Sequence, residues 1–230
     1  MSYLPFITDE KLVDVVSEFL NDIEKIQSQA PMKFRKSTLD PFSAVLFSLC
    51  CGKNLSDWLD NELHRQIGKS FQNKIGELHQ NILGNCDGCE VVDDIIDIRN
   101  VEKKVIAEIK NKYNTTKGSD RKTLYDNLSI VLQQSEYSNF TGYYVEIIPK
   151  DKQRYNNCFT PSDNTSRKNR PCREDIRIVD GYTFYGIITG YEDAIKMVYD
   201  ILPKVINDIT GSGIEIESEP LFEKLFNRTY

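Results

Sequence analysis

Residues 95–110, IIDIRNVEKKVIAEIK, constrain the fold more than any other part of the chain. Two runs rich in β-branched residues, 95–99 and 104–110, bracket a polar turn at 100–103. This pattern predicts a β-hairpin. On a strand, residues i and i+2 share a face. Glu108 and Lys110 therefore project together, and Ala107 and Ile109 turn the other way into a core. If Asn100 pairs with Val105, Asp97 falls opposite Glu108, with Cβ atoms roughly 5 Å apart. Two carboxylates that close repel unless a cation lies between them. Mg²⁺ takes carboxylate and water oxygens and supplies that charge. It would also polarise a phosphodiester and lower the pKa of a bound water. Lys110 is placed to orient the water or to neutralise charge in the transition state.

Asp97, Glu108 and Lys110 are accordingly the candidate catalytic residues, and Asp97 and Glu108 the candidate Mg²⁺ ligands. Asp93 and Asp94 are rival acidic positions, with Asp94 the alternative ligand. Glu77, on the helical segment GELHQNIL, is a candidate outer carboxylate. Alternating Glu and Lys also solvates an exposed sheet face, so the tripeptide alone does not decide between chemistry and surface.

The N-terminal third reads as helical. Leu12, Val15, Val16, Phe19, Leu20, Ile23 and Ile26 recur at helical spacing, and Thr8 or Asp9 can cap the start. Asp40-Pro41 opens a second helix, with Asp as N-cap and Pro at the first position. That helix carries Phe42, Val45, Leu46 and Leu49 on one side. One or two further helices fill 55–83 and end at Gly84. Beyond it, a helix is expected over 120–135, strands over 142–148, 176–179 and 182–188, and an amphipathic helix over 191–209 that Pro203 bends or interrupts. A short last helix begins near Pro220. The stretch 150–175 has no periodicity, and a loop of that length in a compact domain is usually functional or disordered. The expected class is α/β (α+β), a mixed central sheet flanked by helices behind a helical N-terminal region. One domain over 1–230 is expected, with 1–83 mainly helical and 84–230 carrying the sheet.

No apolar run reaches the ~20 residues of a membrane span, and the N-terminus lacks the features of a signal peptide. A cytoplasmic protein is the expectation. The formal net charge of -6 argues against nonspecific coating of nucleic acid but not against a basic face on an acidic protein. The six cysteines are then expected as reduced thiols. Cys86-x-x-Cys89 with Cys158 and Cys172 lacks the ligand spacing of structural zinc. No phosphate-cradling glycine loop is present, so no nucleotide cofactor is expected.

The spacing D-x10-E-x-K from Asp97 to Lys110 resembles the metal-dependent nuclease core written PD-(D/E)xK. The blocks GELHQNILGNCDG, AEIKNKYNTTKGSD, YYVEIIPK, CFTPSDN and IRIVDGYTFYGIITG resemble one group of type II restriction endonucleases, those that cut GGNCC- or GGWCC-like sites. The likeness runs from about Leu63 to Val205. It departs from the motif at Ile96, where a proline often stands, and at Cys89, where the group has an aromatic residue. The resemblance implies a restriction-endonuclease-like core and a Mg²⁺-dependent homodimer. That dimer would cut both strands of double-stranded DNA and be accompanied by a cognate DNA methyltransferase. It gives the catalytic roles to Asp97, Glu108 and Lys110. A structure-specific or repair nuclease on the same core, or a non-cleaving DNA-binding protein, is the alternative.

Candidate DNA contacts follow. Asn111, Lys112, Asn114, Thr115, Thr116 and Lys117, directly after the acidic strand, suit phosphate binding beside the scissile bond. The locally basic stretch 150–175 offers Arg154, Arg167, Arg170 and Arg173, with Ser162, Asp163 and Asn164 as supplements. Arginine forks match the O6 and N7 acceptors of guanine.

Overall fold

The computed structural model describes residues 2–92, 95–163, 166–212 and 219–230. Two units are distinguished, Glu18–Ile75 and Met1–Ser17 with Gly76–Tyr230. Helices α1 (Asp9–Lys36) and α3 (Leu55–Gly84) each contribute to both, and α2 (Pro41–Cys51) lies in the first. The Asp40 carboxylate accepts the N–H groups of Phe42 and Ser43 at 3.0 and 3.3 Å, and Pro41 occupies the first turn, as its sequence predicts. Gly52, at φ 61°, ends α2 in the left-handed conformation. Within this unit Phe19 meets Phe71 edge to face with centroids 5.9 Å apart, and Lys74 pairs with Asp22 at 2.9 Å. The expected apolar side of α2, Phe42, Val45, Leu46 and Leu49, is exposed rather than buried.

The larger unit carries the sheet. Its elements are β1 (Cys89–Val91), β2 (Ile98–Asn100), β3 (Val105–Lys112), α4 (Gly118–Leu132), β4 (Thr141–Ile148) and β5 (Asn156–Cys158). They continue with β6 (Ser162–Asp163), β7 (Lys168–Asn169), β8 (Ile176–Asp180), α5 (Gly181–Thr189), α6 (Ala194–Thr210) and α7 (Glu219–Thr229). The main sheet has the order β1-β2-β3-β4-β8-β5, and β6 and β7 form a separate ladder. Strands β1, β2 and β3 are antiparallel neighbours, β3, β4 and β8 run parallel, and β5 returns antiparallel on the edge. This is the mixed sheet with flanking helices that the sequence predicts.

The hairpin forms in the predicted register, with Asn100 opposite Val105 and Ile98 opposite Ala107. Buried Asn100 holds the turn, its Oδ1 accepting the Lys103 N–H at 2.8 Å. Lys103 Nζ then donates to the last carbonyls of α5, Ile187 at 3.0 Å and Ile188 at 2.6 Å, where a cation complements the helix dipole.

Helix α4 covers one face of the sheet. Tyr125, Leu128 and Val131 close over Ile106, Tyr144, Phe159 and Ile176. The other face carries Ala107, Ile109, Val145 and Ile147. Against it lie residues 76–84 of α3, where a Cβ on Gly76 would sit 3.5 Å from that of Asn111, and α5, whose Phe184 meets Tyr143 at 5.5 Å. Burying each of the Ile, Val, Leu and Phe side chains contributes roughly 1.5–3 kcal/mol.

Three expectations are corrected. Residues 182–188 are not a strand but most of α5. Asp180 caps that helix, accepting the Thr183 N–H at 2.9 Å, and Gly190 at φ 82° ends it. The stretch 150–175 is not one irregular loop, since β5 pairs with β8 and β6 pairs with β7. Cys158 and Cys172 are joined in a disulfide across this stretch rather than present as thiols. Pro203 does not interrupt α6, which runs through it. Among the described residues no helix is long and apolar enough to cross a membrane.

Candidate active site

Strands β3, β4 and β8 end side by side, and their parallel register aligns Lys110 with Glu146 and Glu146 with Asp180. Three charged residues thus stand in a row at the carboxyl ends of adjacent strands, where open α/β sheets place their sites. Glu108 lies one step back from Lys110 on the same face, and Lys110 Nζ donates to Glu108 Oε1 at 2.6 Å.

Asp97 lies just before β2. Its N–H donates to the Ala107 carbonyl at 2.9 Å, and its carboxylate Oδ2 accepts the Ile109 N–H at 2.6 Å. The Asp97 carboxylate therefore replaces a strand residue in the ladder and is held abreast of Glu108. The Gln80 amide, from α3, lies beside the Asp97 carboxylate and donates to the Ile109 carbonyl at 3.3 Å.

Both carboxyls titrate above the ordinary carboxylate range. For Asp97 the main cause is desolvation, opposed by the Ile109 N–H, Lys110 and Gln80. For Glu108 it is desolvation again, then repulsion from Asp97, opposed by Lys110. Burial and a like charge act together, so the pair is short of positive charge, and Lys110 is drawn onto it. Asp97 and Glu108 are the oxygen donors here that could hold a divalent cation.

A second cluster adjoins this pair. Glu146 is 4% exposed on β4, and its Oε1 accepts Arg121 Nη1 at 2.9 Å while its Oε2 accepts the Tyr155 hydroxyl at 2.6 Å. The Arg121 guanidinium lies over Tyr144 and Phe159, 5.2 and 5.6 Å from the ring centroids. Desolvation pushes the Tyr144 phenol up to about 12 and the Tyr155 phenol higher still, so both stay protonated. Fully buried Asp180 accepts the Tyr155 N–H at 2.8 Å. Tyr155 thus pins the start of β5 to the ends of β4 and β8.

The other candidate residues fall into three groups. Glu77 is exposed on α3, one turn before Gln80. Asn111 is buried at the end of β3, Lys112 and Thr116 are half-buried, and Asn114, Thr115 and Lys117 are exposed, with Thr115 Oγ1 donating to the Lys112 carbonyl at 2.7 Å. In the 150–175 stretch Arg170 pairs with Asp126 at 2.7 Å and approaches buried Asp163 at 3.7 Å. Arg173 grips Asp175 through Nε and Nη2 at 2.9 and 2.6 Å and donates to Ser129 at 2.7 Å. These two arginines fasten the segment to α4. Arg154 is 44% exposed, stacks on Tyr182 and lies 3.8 Å from Asp180. Arg167 and Ser162 are exposed. Asp93, Asp94 and Asn164 lie outside the described residues.

Sequence reasoning passed over Gln80, Arg121, Glu146 and Tyr155. A signal existed for one of them. Glu146 interrupts GYYVEII, an otherwise buried strand, and a charge there requires a partner. Cys86 and Cys89 are free, and Cys158 and Cys172, within 4.8 Å of Glu174, are tied to each other.

Comparison with known proteins bears on this arrangement. The family model for the Eco47II restriction endonuclease matches residues 4–211. The chain is 36% identical to the type II restriction enzyme Eco47II of Escherichia coli over the full length of both. It is 32% identical to the type II restriction enzyme Sau96I of Staphylococcus aureus, over 90% of this chain and 80% of that enzyme. On full-length identity and a family match spanning the acidic hairpin and the parallel strand ends, this chain belongs to the Eco47II restriction endonuclease family.

Proposed function

We propose that the protein is a homodimeric, Mg²⁺-dependent type II restriction endonuclease. It cuts both strands of DNA at a GGNCC- or GGWCC-like site, in the cytoplasm and alongside a cognate methyltransferase. The observation that carries this reading is the desolvated Asp97/Glu108 pair with Lys110 drawn onto it, inside a chain of this family.

The donors fit the metal. They are carboxylate oxygens, short of positive charge, and a hard divalent cation prefers such ligands. Asp97 and Glu108 would hold it, with Glu77 as an outer acidic residue. Bound there, Mg²⁺ supplies charge against the scissile phosphate and a water of lowered pKa.

The chain's own residues do the rest. The Ile109 N–H and the Gln80 amide fix the Asp97 carboxylate. Lys110 neutralises Glu108 in the resting site and, once released, turns its ammonium to the attacking water or the phosphate oxygens. Lys112, Asn114, Thr115, Thr116 and Lys117 extend the strand's end along the DNA backbone. Arg154 and Arg167 approach base edges with Ser162, on a segment that Arg170 and Arg173 hold to α4.

The test is plasmid DNA incubated with the protein and Mg²⁺. Discrete fragments with constant ends support the reading, and three-base 5′ overhangs support a five-base-pair site with a central N or W. Binding without cleavage in Mg²⁺ and Mn²⁺ would sink it.

A further inference from the structure

Helix α2 is apolar on two sides. Ala44 is buried and Phe47 half-buried, so one side is covered. On the other side Phe42, Val45, Leu46 and Leu49 recur at i, i+3, i+4 and i+7 and are 78%, 57%, 58% and 77% exposed. Leu55, just beyond the helix, is 57% exposed. An isolated exposed leucine is ordinary, but a full helical stripe is not, and a helix that is hydrophobic all round is normally covered.

We infer that this face of α2 is the surface on which two copies of the chain associate. Its area is of the right order. Taking about 200 Å² for a fully exposed Leu or Phe, the five side chains present roughly 600 Å². A stable interface takes about 800 Å² from each partner, with an apolar centre inside a polar rim.

Its charge also selects a second copy. A two-fold contact brings each residue near its own equivalent, so a charged face would repel itself. The chain as a whole carries a net charge of -6, yet the sequence of α2, PFSAVLFSLCC, contains no charged residue. The same absence of Lys and Arg makes the face unsuited to a phosphate backbone. Resting on the proposed double-strand cleavage, the pairing also supplies the second active site that a two-fold DNA site requires.

The experiment is sedimentation velocity on the full chain without DNA or metal, beside the double variant Leu46→Glu/Leu49→Glu. The parent should sediment with twice the 26.6 kDa chain mass and the variant with the single mass, with unchanged far-UV circular dichroism. Should the variant misfold, hydrogen exchange of the parent across a dilution series replaces it. Protection of the α2 amides should then rise with protein concentration. A monomeric parent at every concentration overturns the inference, as does a folded variant that remains dimeric or loses only DNA binding. The nuclease reading fails separately, as a parent that dimerises without cutting.

Discussion

The Asp97 carboxylate accepts the main-chain N–H of Ile109 at 2.6 Å. That single bond places a negative group from just before β2 against the middle of β3, near Glu108 and Lys110. It links the sheet's own hydrogen bonding to the proposed chemistry, because the same bond that completes the ladder positions the acid.

The first expected consequence concerns pH. Desolvation raises both carboxyls, and Asp97 raises Glu108 further. Their folded-state values lie above those of the unfolded chain. Their contribution to metal-free stability is therefore full below the unfolded values and is lost as the pH rises through the folded ones. Cation binding runs the other way, since it needs both groups ionised. The Mg²⁺ concentration for half-maximal cleavage should rise as the pH falls from neutral into the raised carboxylate range. Metal-free Glu108→Gln should melt above the parent at neutral pH. A pH-independent Mg²⁺ requirement, or a variant that melts lower, contradicts this.

His79 gives a second pH effect of opposite sign. It shares a 2.8 Å hydrogen bond with the buried Tyr185 hydroxyl, and burial holds its pKa down to about 4. A value depressed below the unfolded one, about 6.5, adds stability above that pH. The stability is lost as the pH falls through the window between the two, about 3 kcal/mol in all. Urea denaturation at stepped pH should show this loss, and His79→Gln should flatten the curve.

The Arg121–Glu146 pair should behave as a buried couple. Removing Arg121 leaves the buried Glu146 carboxylate with the Tyr155 hydroxyl, so Arg121→Ala should cost roughly 3–5 kcal/mol, and Glu146→Ala, which leaves a partly exposed guanidinium, should cost less. The double variant should cost less than the sum, as a denaturation double-mutant cycle would measure. Strict additivity would mean that the 2.9 Å contact carries no coupling.

Gly181 sits where a Cβ would lie 2.4 Å from the Ile147 carbonyl oxygen. The obstacle is backbone of a central strand, which cannot move aside. Gly181→Ala should therefore destabilise by roughly 2 kcal/mol or more, detectable as a lowered denaturation midpoint. A neutral substitution would mean that α5 can shift off β4.

How much of this was legible in the sequence varies with the kind of signal. The hairpin register was readable because a polar turn and period-two alternation both fixed Asn100 opposite Val105. The α2 cap was readable because Asp-Pro encodes a helix start locally. Residues 182–188 were misread because YTFYGII is short and rich in β-branched and aromatic residues. The Asp180 cap and the fit of Gly181 against Ile147 settle that segment. Gln80 and Arg121 could not be found from spacing, since each reaches the site from a different helix. The Cys158–Cys172 bond depends on how β5 and the β6–β7 ladder bring distant residues together.

The most direct measurement of the central claim is cleavage of plasmid DNA in Mg²⁺ by the parent, Glu108→Ala and Lys110→Ala proteins, each verified as folded. The parent should give discrete site-specific double-strand fragments. Each variant should lose at least about 10²–10³-fold in rate. Fragments that persist at the parent's rate in both variants would contradict the assignment of Asp97, Glu108 and Lys110 as the catalytic centre.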